Sequence, residues 1–299
     1  MKTSLEHLPP VKQYELGRVI EVVLEEFEDA IKGASAEFKK RGRVLKIILF
    51  GSYARGTFVD EPHTKKGYRS DFDLLIVVNN RKFTDFSTYW NKAADRLMRD
   101  PKVSTPVSLI VHSLREVNTE LRQGRYFFTD IRRDGLALYE LDAEPLAMPG
   151  EISAEEAWQI ASGYFAERLP SASSYLDAAT YLAGKGQNKQ AAFILHQALE
   201  QAYSTVLLVL TNYSPPSHNA RFLRGLAEGQ ASDLISIWPN DQQRYIAWFN
   251  ILNEAYVKAR YSPHFEISKE ALEWLIERTG LLISAVEKTC RDHLETSRK

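Results

Sequence analysis

Arg69-Ser70-Asp71-Phe72-Asp73-Leu74-Leu75-Ile76-Val77-Val78 sets two aspartates at the head of an apolar run. Five consecutive aliphatic residues with no helical spacing predict a buried strand. Residues i and i+2 of a strand project to the same face. Asp71 and Asp73 therefore present paired carboxylates, which repel unless a cation lies between them. Upstream, Ile47-Ile48-Leu49-Phe50-Gly51-Ser52-Tyr53-Ala54-Arg55-Gly56 runs a second apolar strand into a Gly-Ser turn that a second glycine closes.

Outward from these stretches the first half alternates strands and helices. Leu16, Val19, Ile20, Val23, Phe27 and Ile31 have the spacing of an amphipathic helix within residues 11–40. Val44 to Phe50 is a strand, and the Gly51–Gly56 turn opens a short helix. Thr57 to Ser70 reads as a loop carrying Lys65, Lys66 and Arg69, and Leu74 to Val78 is the second strand. Asp85 to Met98 is helical, Pro106 to Val111 a third strand, Leu114 to Asp134 helical with a break near Gly124, and Leu136 to Leu141 a final strand. The alternation predicts an α/β domain over residues 1–147.

Pro145, Pro149 and Gly150 mark a linker. Beyond it, residues 151–299 carry long helical periodicity and no strand pattern, which predicts an all-α bundle. Helices are expected over Ala154–Ala183, Gln190–Thr211, Ala220–Leu226, Gln242–Ala259 and Ser268–His293. Trp158, Trp238, Trp248 and Trp274 read as core, and His196, mid-helix among apolar residues, as a core or interface histidine.

A triphosphate needs a cation, backbone N–H donors and close approach of the main chain. Gly51 permits that approach because it lacks a Cβ, and Ser52 adds a hydroxyl and an N–H. Asp71 and Asp73 are hard oxygen ligands suited to Mg2+. A lone Gly-Ser turn or a lone Asp-x-Asp usually marks a turn or a cap. In this order, each abutting an apolar strand, the two together specify a site.

The segment resembles the minimal nucleotidyltransferases of the DNA polymerase β superfamily, whose pattern is Gly-Ser, a spacer, then Asp-x-Asp. The resemblance implies a small mixed sheet with flanking helices, phosphate binding by Gly51 and Ser52, and Mg2+ binding and catalysis by Asp71 and Asp73. It also implies ATP or another NTP as substrate, with the nucleoside monophosphate passing to an acceptor that the sequence does not name: a small molecule, a protein or RNA. Two departures stand out. The spacer from Ser52 to Asp71 holds eighteen residues, against about ten in the family. The strand that carries the family's third acid reads Val107-Ser108-Leu109-Ile110, with Ser108 at the expected position. Glu116 and Asp130 are the carboxylates that neighbouring elements offer as substitutes.

Gln190-Ala191-Ala192-Phe193-Ile194-Leu195-His196-Gln197-Ala198-Leu199-Glu200, then Tyr213-Ser214-Pro215-Pro216-Ser217-His218, then Ala255 to Phe265 resemble a HEPN domain, the helical partner of many minimal nucleotidyltransferases. That resemblance implies a homodimer through the helical domain. It also keeps open a ribonuclease acting on RNA and a nucleotide-binding regulator of toxin–antitoxin type. Many HEPN domains pair an arginine with a histidine across four to six intervening residues. Arg260 and His264 are the matching residues, separated by only three, Pro263 among them; the competing reading makes Arg260 a helix-capping residue.

Composition bounds the rest. The chain has 299 residues, 44% hydrophobic and 26% charged, with a net charge of −1, which argues against a nucleic-acid binder driven by bulk charge. One cysteine, Cys290, excludes an intrachain disulfide framework. The N-terminal residues lack the apolar core of a signal peptide, and no apolar stretch reads as a membrane span. The expectation is a cytoplasmic protein without a membrane partner.

Overall fold

The computed structural model describes residues 3–58, 70–141, 144–215 and 217–298. The chain divides into two compact units, one running to Glu151 and the other continuing from Ile152.

The first unit is built on a four-stranded sheet of β1 (Val44–Phe50), β2 (Phe72–Val78), β3 (Val107–Ser113) and β4 (Leu136–Glu140), in the order β3-β2-β1-β4. β1 pairs antiparallel with β2 and with β4, while β2 and β3 run parallel, so the sheet is mixed. Helices α1 (Pro10–Ile31), α2 (Glu37–Lys40), α3 (Gly51–Arg55), α4 (Phe86–Tyr89), α5 (Asn91–Arg99), α6 (Leu114–Arg122) and α7 (Tyr126–Asp134) surround it. One face of the sheet, through Ile47, Leu49, Leu74, Ile76, Leu109 and Val111, joins a core with Leu16, Val19, Val23 and Phe27 of α1. Phe127 of α7 packs edge-on to Phe50 of β1, and Phe128 edge-on to His112 of β3, so α7 covers the opposite face. Cover on both faces explains why β1 and β2 read as unbroken apolar runs. Lys46, buried in β1, is neutralised by Glu140 across the β1–β4 pair at 2.8 Å.

Two helical stretches divide where the sequence reads them as single. Asp85 to Met98 becomes α4 and α5, parted at Trp90, whose indole donates to the Phe83 carbonyl at 2.7 Å and stacks on Phe27. The stretch 11–40 becomes α1 and α2, parted by Gly33 at φ +69°.

The second unit contains α8 (Ala154–Gly184), α9 (Asn188–Thr211), α10 (Ala220–Gln230), α11 (Gln243–Tyr261) and α12 (Lys269–Ser297), and no strand among the described residues. Ser153 and Glu156 form a reciprocal capping box at the start of α8. A turn through Gly186 at φ +74° reverses the chain into α9. Ala191, Ala192, Ala198 and Ala202 on α9 are fully buried; small side chains there let neighbouring helices approach closely. α9 packs against α8, α10, α11 and α12, which makes it the centre of the bundle. By length and composition α9 is apolar enough to cross a membrane, yet 56% of its apolar window is buried inside the unit. Trp238 is buried and donates to Tyr203 Oη at 2.8 Å, whereas Trp158, Trp248 and Trp274 are half-buried. Trp248, Trp274 and Tyr245 cluster with Arg244 and Arg278, whose guanidinium groups cover the rings.

Candidate functional site

Strand register assembles the candidate site at one end of the sheet. Phe50, the last residue of β1, faces Asp73 on β2, and Asp73 faces Ser108 on β3. Gly51 follows Phe50 directly, so the Gly-Ser turn and the aspartate pair meet at the same level although eleven intervening residues, 59–69, lie outside the described ones. Lys65, Lys66 and Arg69 fall in that segment.

Gly51 adopts φ +74°, and a Cβ built on it would collide with Asp73 Oδ2. The turn is therefore closed to any residue but glycine, for two reasons at once: backbone conformation and space. α3 spans one helical turn and ends at Gly56, also left-handed at φ +74°. Tyr53 anchors α3 from below, buried and stacked on Phe58 at 4.4 Å, with its carbonyl 2.9 Å from His7 Nε2. Ser52, at the second position of α3, is half-buried.

Asp71 lies immediately before β2 and Asp73 is its second residue; both are half-buried by accessible surface. Protein atoms enclose Asp73 closely. Burial, reinforced by the Asp71 carboxylate, raises its pKa well above the ordinary carboxylate value, and the Arg55 guanidinium pulls it back only in part. Ser108 Oγ donates to Asp71 Oδ2 at 3.2 Å. The position across from Asp73 thus holds a hydroxyl rather than a carboxylate.

The two substitute acids differ in their placement. Glu116 caps α6: its carboxylate accepts from the Ser113 backbone and hydroxyl at 2.9 Å, and Arg81 pairs with it at 3.0 Å. Its pKa falls to about 2, first through the His112 hydrogen bond and then through Ser113. Ser113 lies five residues along β3 from Ser108, roughly 16 Å at strand rise, so the cap is remote from the aspartates. Asp130 sits on α7, which packs against α3. It pairs with Arg133 at 2.9 Å, and burial raises its pKa. Arg55 acts electrostatically on both Asp73 and Asp130. Its role escaped the sequence reading, although it stands inside the Gly51–Gly56 turn that drew attention.

Among the described residues, no group of three or more His, Cys, Asp or Glu side chains is arranged to hold a metal ion. Asp71 and Asp73 alone still fit Mg2+, which is commonly held by one or two carboxylates together with substrate phosphates. Their mutual repulsion is what a cation would relieve, and Gly51 leaves to Asp73 Oδ2 the space a Cβ would fill.

In the second unit, Arg260 lies near the end of α11, its Nε donating to the Tyr256 carbonyl at 2.7 Å and its guanidinium over the Tyr256 ring at 4.2 Å. His264 is exposed, with its backbone N–H on Ser262 Oγ. Among the described residues no hydrogen bond or ring contact joins it to Arg260. His196 is fully buried, as its sequence setting predicts.

Comparison with known proteins agrees with this geometry. Residues 31–126 match the nucleotidyltransferase domain family, a span that contains β1, α3, β2 and β3. Residues 165–289 match the HEPN domain family. A Methanocaldococcus jannaschii protein, provisionally named a protein adenylyltransferase, is 33% identical over 119 residues, covering 40% of this chain and 97% of its own length. With the mixed sheet and the helical bundle, these matches show that the chain belongs to the minimal nucleotidyltransferases of the DNA polymerase β superfamily, joined here to a C-terminal HEPN domain.

Proposed function

We propose that the N-terminal unit transfers AMP from ATP, with Mg2+, to an acceptor hydroxyl. The observation that carries this reading is the contact geometry of Gly51 with Asp73: the phosphate-binding turn is pressed against the acidic pair with no side chain between them. In this reading the N–H groups and hydroxyl of the Gly51-Ser52 turn bind the triphosphate. Asp71 and Asp73 hold the metal, which when bound neutralises charge on the phosphates and the pyrophosphate leaving group. Arg55, which offsets the Asp73 charge, adds positive potential beside the same turn. The relative's provisional name, protein adenylyltransferase, supports adenine as the base and a protein side chain as the acceptor.

The test is incubation of the full chain with labelled ATP, Mg2+ and candidate acceptors, protein hydroxyls first. Transfer of label that the Asp71→Ala, Asp73→Ala double variant abolishes supports the reading. Transfer that survives the double substitution sinks the site.

Ser108 favours a second reading. A serine is no general base at neutral pH, and here its hydroxyl is engaged by Asp71. A chain that binds ATP and Mg2+ without transferring label to any acceptor would be a nucleotide-responsive regulator.

A further inference from the structure

The start of α1 carries two charges into the core of the first unit. Lys12 is 4% exposed and Glu15 3%, one helical turn apart, with Lys12 Nζ 3.7 Å from Glu15 Oε1. An apolar pair would fill the same space without giving up the hydration of two ions. Stability alone therefore does not account for the pair. Both charges are directed at one short segment, residues 104–106, which leads into β3. Glu15 Oε2 accepts from the Thr105 backbone N–H at 2.9 Å, and Glu15 Oε1 from Ser104 Oγ at 2.9 Å. Lys12 Nζ donates to Thr105 Oγ1 at 2.7 Å. Burial pushes the Glu15 pKa up, but the bonds from Thr105 and Ser104, with the Lys12 charge, bring it below the ordinary carboxylate value.

The gripped segment reaches the candidate site at two points. Pro106, next after Thr105, accepts from the Phe72 N–H on its carbonyl at 2.8 Å. Phe72 stands between Asp71 and Asp73. Two residues further on, Ser108 faces Asp73 in register and donates to Asp71 Oδ2 at 3.2 Å. A displacement of residues 104–106 would thus reach both aspartates, one through its own hydrogen bond and both through Phe72. The nucleotidyltransferase family match begins at residue 31, so Lys12 and Glu15 lie ahead of it.

We propose that Glu15, supported by Lys12, is a positioning residue for the aspartate pair. It acts through Thr105 and Pro106 to fix Phe72, and thereby the placement of Asp71 relative to Asp73. The proposal rests on the reading of those aspartates as Mg2+ ligands. Glu15 touches neither metal nor nucleotide in this role. Partners that orient metal-binding side chains typically matter about 10–100-fold in metal affinity.

The test follows the full chain by amide hydrogen exchange without metal, and by Mg2+ titration with a non-hydrolysable ATP analogue present. Glu15→Gln keeps the size of the side chain and gives up the charge and one acceptor. It should speed exchange at the Phe72 amide about 10-fold relative to the Leu75 and Ile76 amides of the same strand, and weaken Mg2+ binding about 10-fold or more. Glu15→Asp, which keeps the charge but shortens the reach, should move both readouts in the same direction. Val23→Ala, on the buried face of α1, separates positioning from stability. It should lower the melting temperature at least as far as Glu15→Gln does, while leaving the relative Phe72 exchange and the Mg2+ affinity at parental values. The proposal is overturned if Glu15→Gln leaves relative Phe72 exchange unchanged, or speeds it with Mg2+ affinity intact. Equal weakening of Mg2+ binding by Val23→Ala also overturns it. A parent chain that binds no Mg2+ would bring down the metal assignment itself and this proposal with it, whereas parental binding that ignores Glu15→Gln removes only the role of Glu15.

Discussion

Gly51 and Asp73 share one space: the position of a Cβ on Gly51 overlaps Asp73 Oδ2, and the Gly51 backbone is held at φ +74°. Gly51→Ala should therefore act twice. A left-handed alanine costs about 1 kcal/mol or more, and the displaced carboxylate leaves the position in which we propose that it holds Mg2+. AMP transfer should fall at least about 100-fold, since an ångström of misplacement is enough for that, with a melting temperature lower by a few degrees. An alanine variant with the parental transfer rate would remove the turn from the site.

Asp73 predicts a trade between stability and function. Its carboxyl is pushed up, first by burial and then by Asp71. A folded-state pKa above the unfolded one means that the ionised form is disfavoured in the fold. The cost is present at neutral pH and disappears as pH falls below the ordinary value of 3.8. Asp73→Asn should consequently raise the melting temperature at pH 7 without divalent ions. Mg2+ with a non-hydrolysable ATP analogue should stabilise the parent chain and not the variant. Differential scanning fluorimetry reads both arms, and equal stabilisation of the two proteins would refute the assignment.

Ser108→Asp supplies the carboxylate that β3 lacks. Register puts it opposite Asp73, and Ser108 Oγ already touches Asp71. Three carboxylates without a cation should lower the melting temperature, and Mg2+ should restore it with at least about 10-fold tighter binding than in the parent, roughly 1.4 kcal/mol. A rise in AMP transfer would show that the third acid limits turnover. An unaltered Mg2+ affinity would mean that position 108 lies outside the metal's reach.

The apolar strands were legible because burial on both faces of a sheet leaves unbroken aliphatic runs, as in Leu74–Val78. The helical second half was legible from periodicity and from the linker prolines. What escaped the sequence was set by tertiary contacts. Trp90 splits a helix because its buried indole reaches back to Phe83, and no local propensity encodes that bond. Trp248 and Trp274 are half-buried under arginines rather than in the core, because an aromatic face can be covered by a cation as well as by an aliphatic chain. At the candidate site, the two aspartates could be placed on one face from spacing alone. The closeness of Gly51 to Asp73, and the shared influence of Arg55, depend on the pairing of β1 with β2.

Glu116 makes the α6 cap sensitive to acid. Its pKa is lowered from 4.5 to about 2, principally by His112, so its contribution is fully present above the unfolded value and is lost as pH falls from 4.5 towards 2. Glu116→Ala should cost about 1–2 kcal/mol at pH 7, discounted for its partial exposure. Urea unfolding of both proteins at pH 7, 4 and 3 should show the gap narrowing. A gap independent of pH would mean that packing, not the charged cap, carries the effect.

His196 should shape stability in the opposite part of the acid range. Burial, with a smaller push from Arg260, lowers its pKa from 6.5 to about 4 and outweighs a backbone contact from His218 that favours the charged form. A histidine kept neutral in the fold binds a proton more readily when unfolded, so its contribution is complete above pH 6.5 and is lost as pH falls towards 4. Groups facing it include Glu200 on its own helix, His218 from the segment before α10, and Tyr256 and Arg260 from α11. Over that window the parent should lose up to about 3 kcal/mol through this group. His196→Phe removes the titration and the unpartnered Nε2 together while keeping a ring beside Tyr256. Its unfolding free energy should therefore vary less between pH 6.5 and 4.5 than the parent's, measured by urea titration at matched ionic strength. Parallel pH profiles for the two proteins would show that His196 does not carry the acid sensitivity of the bundle.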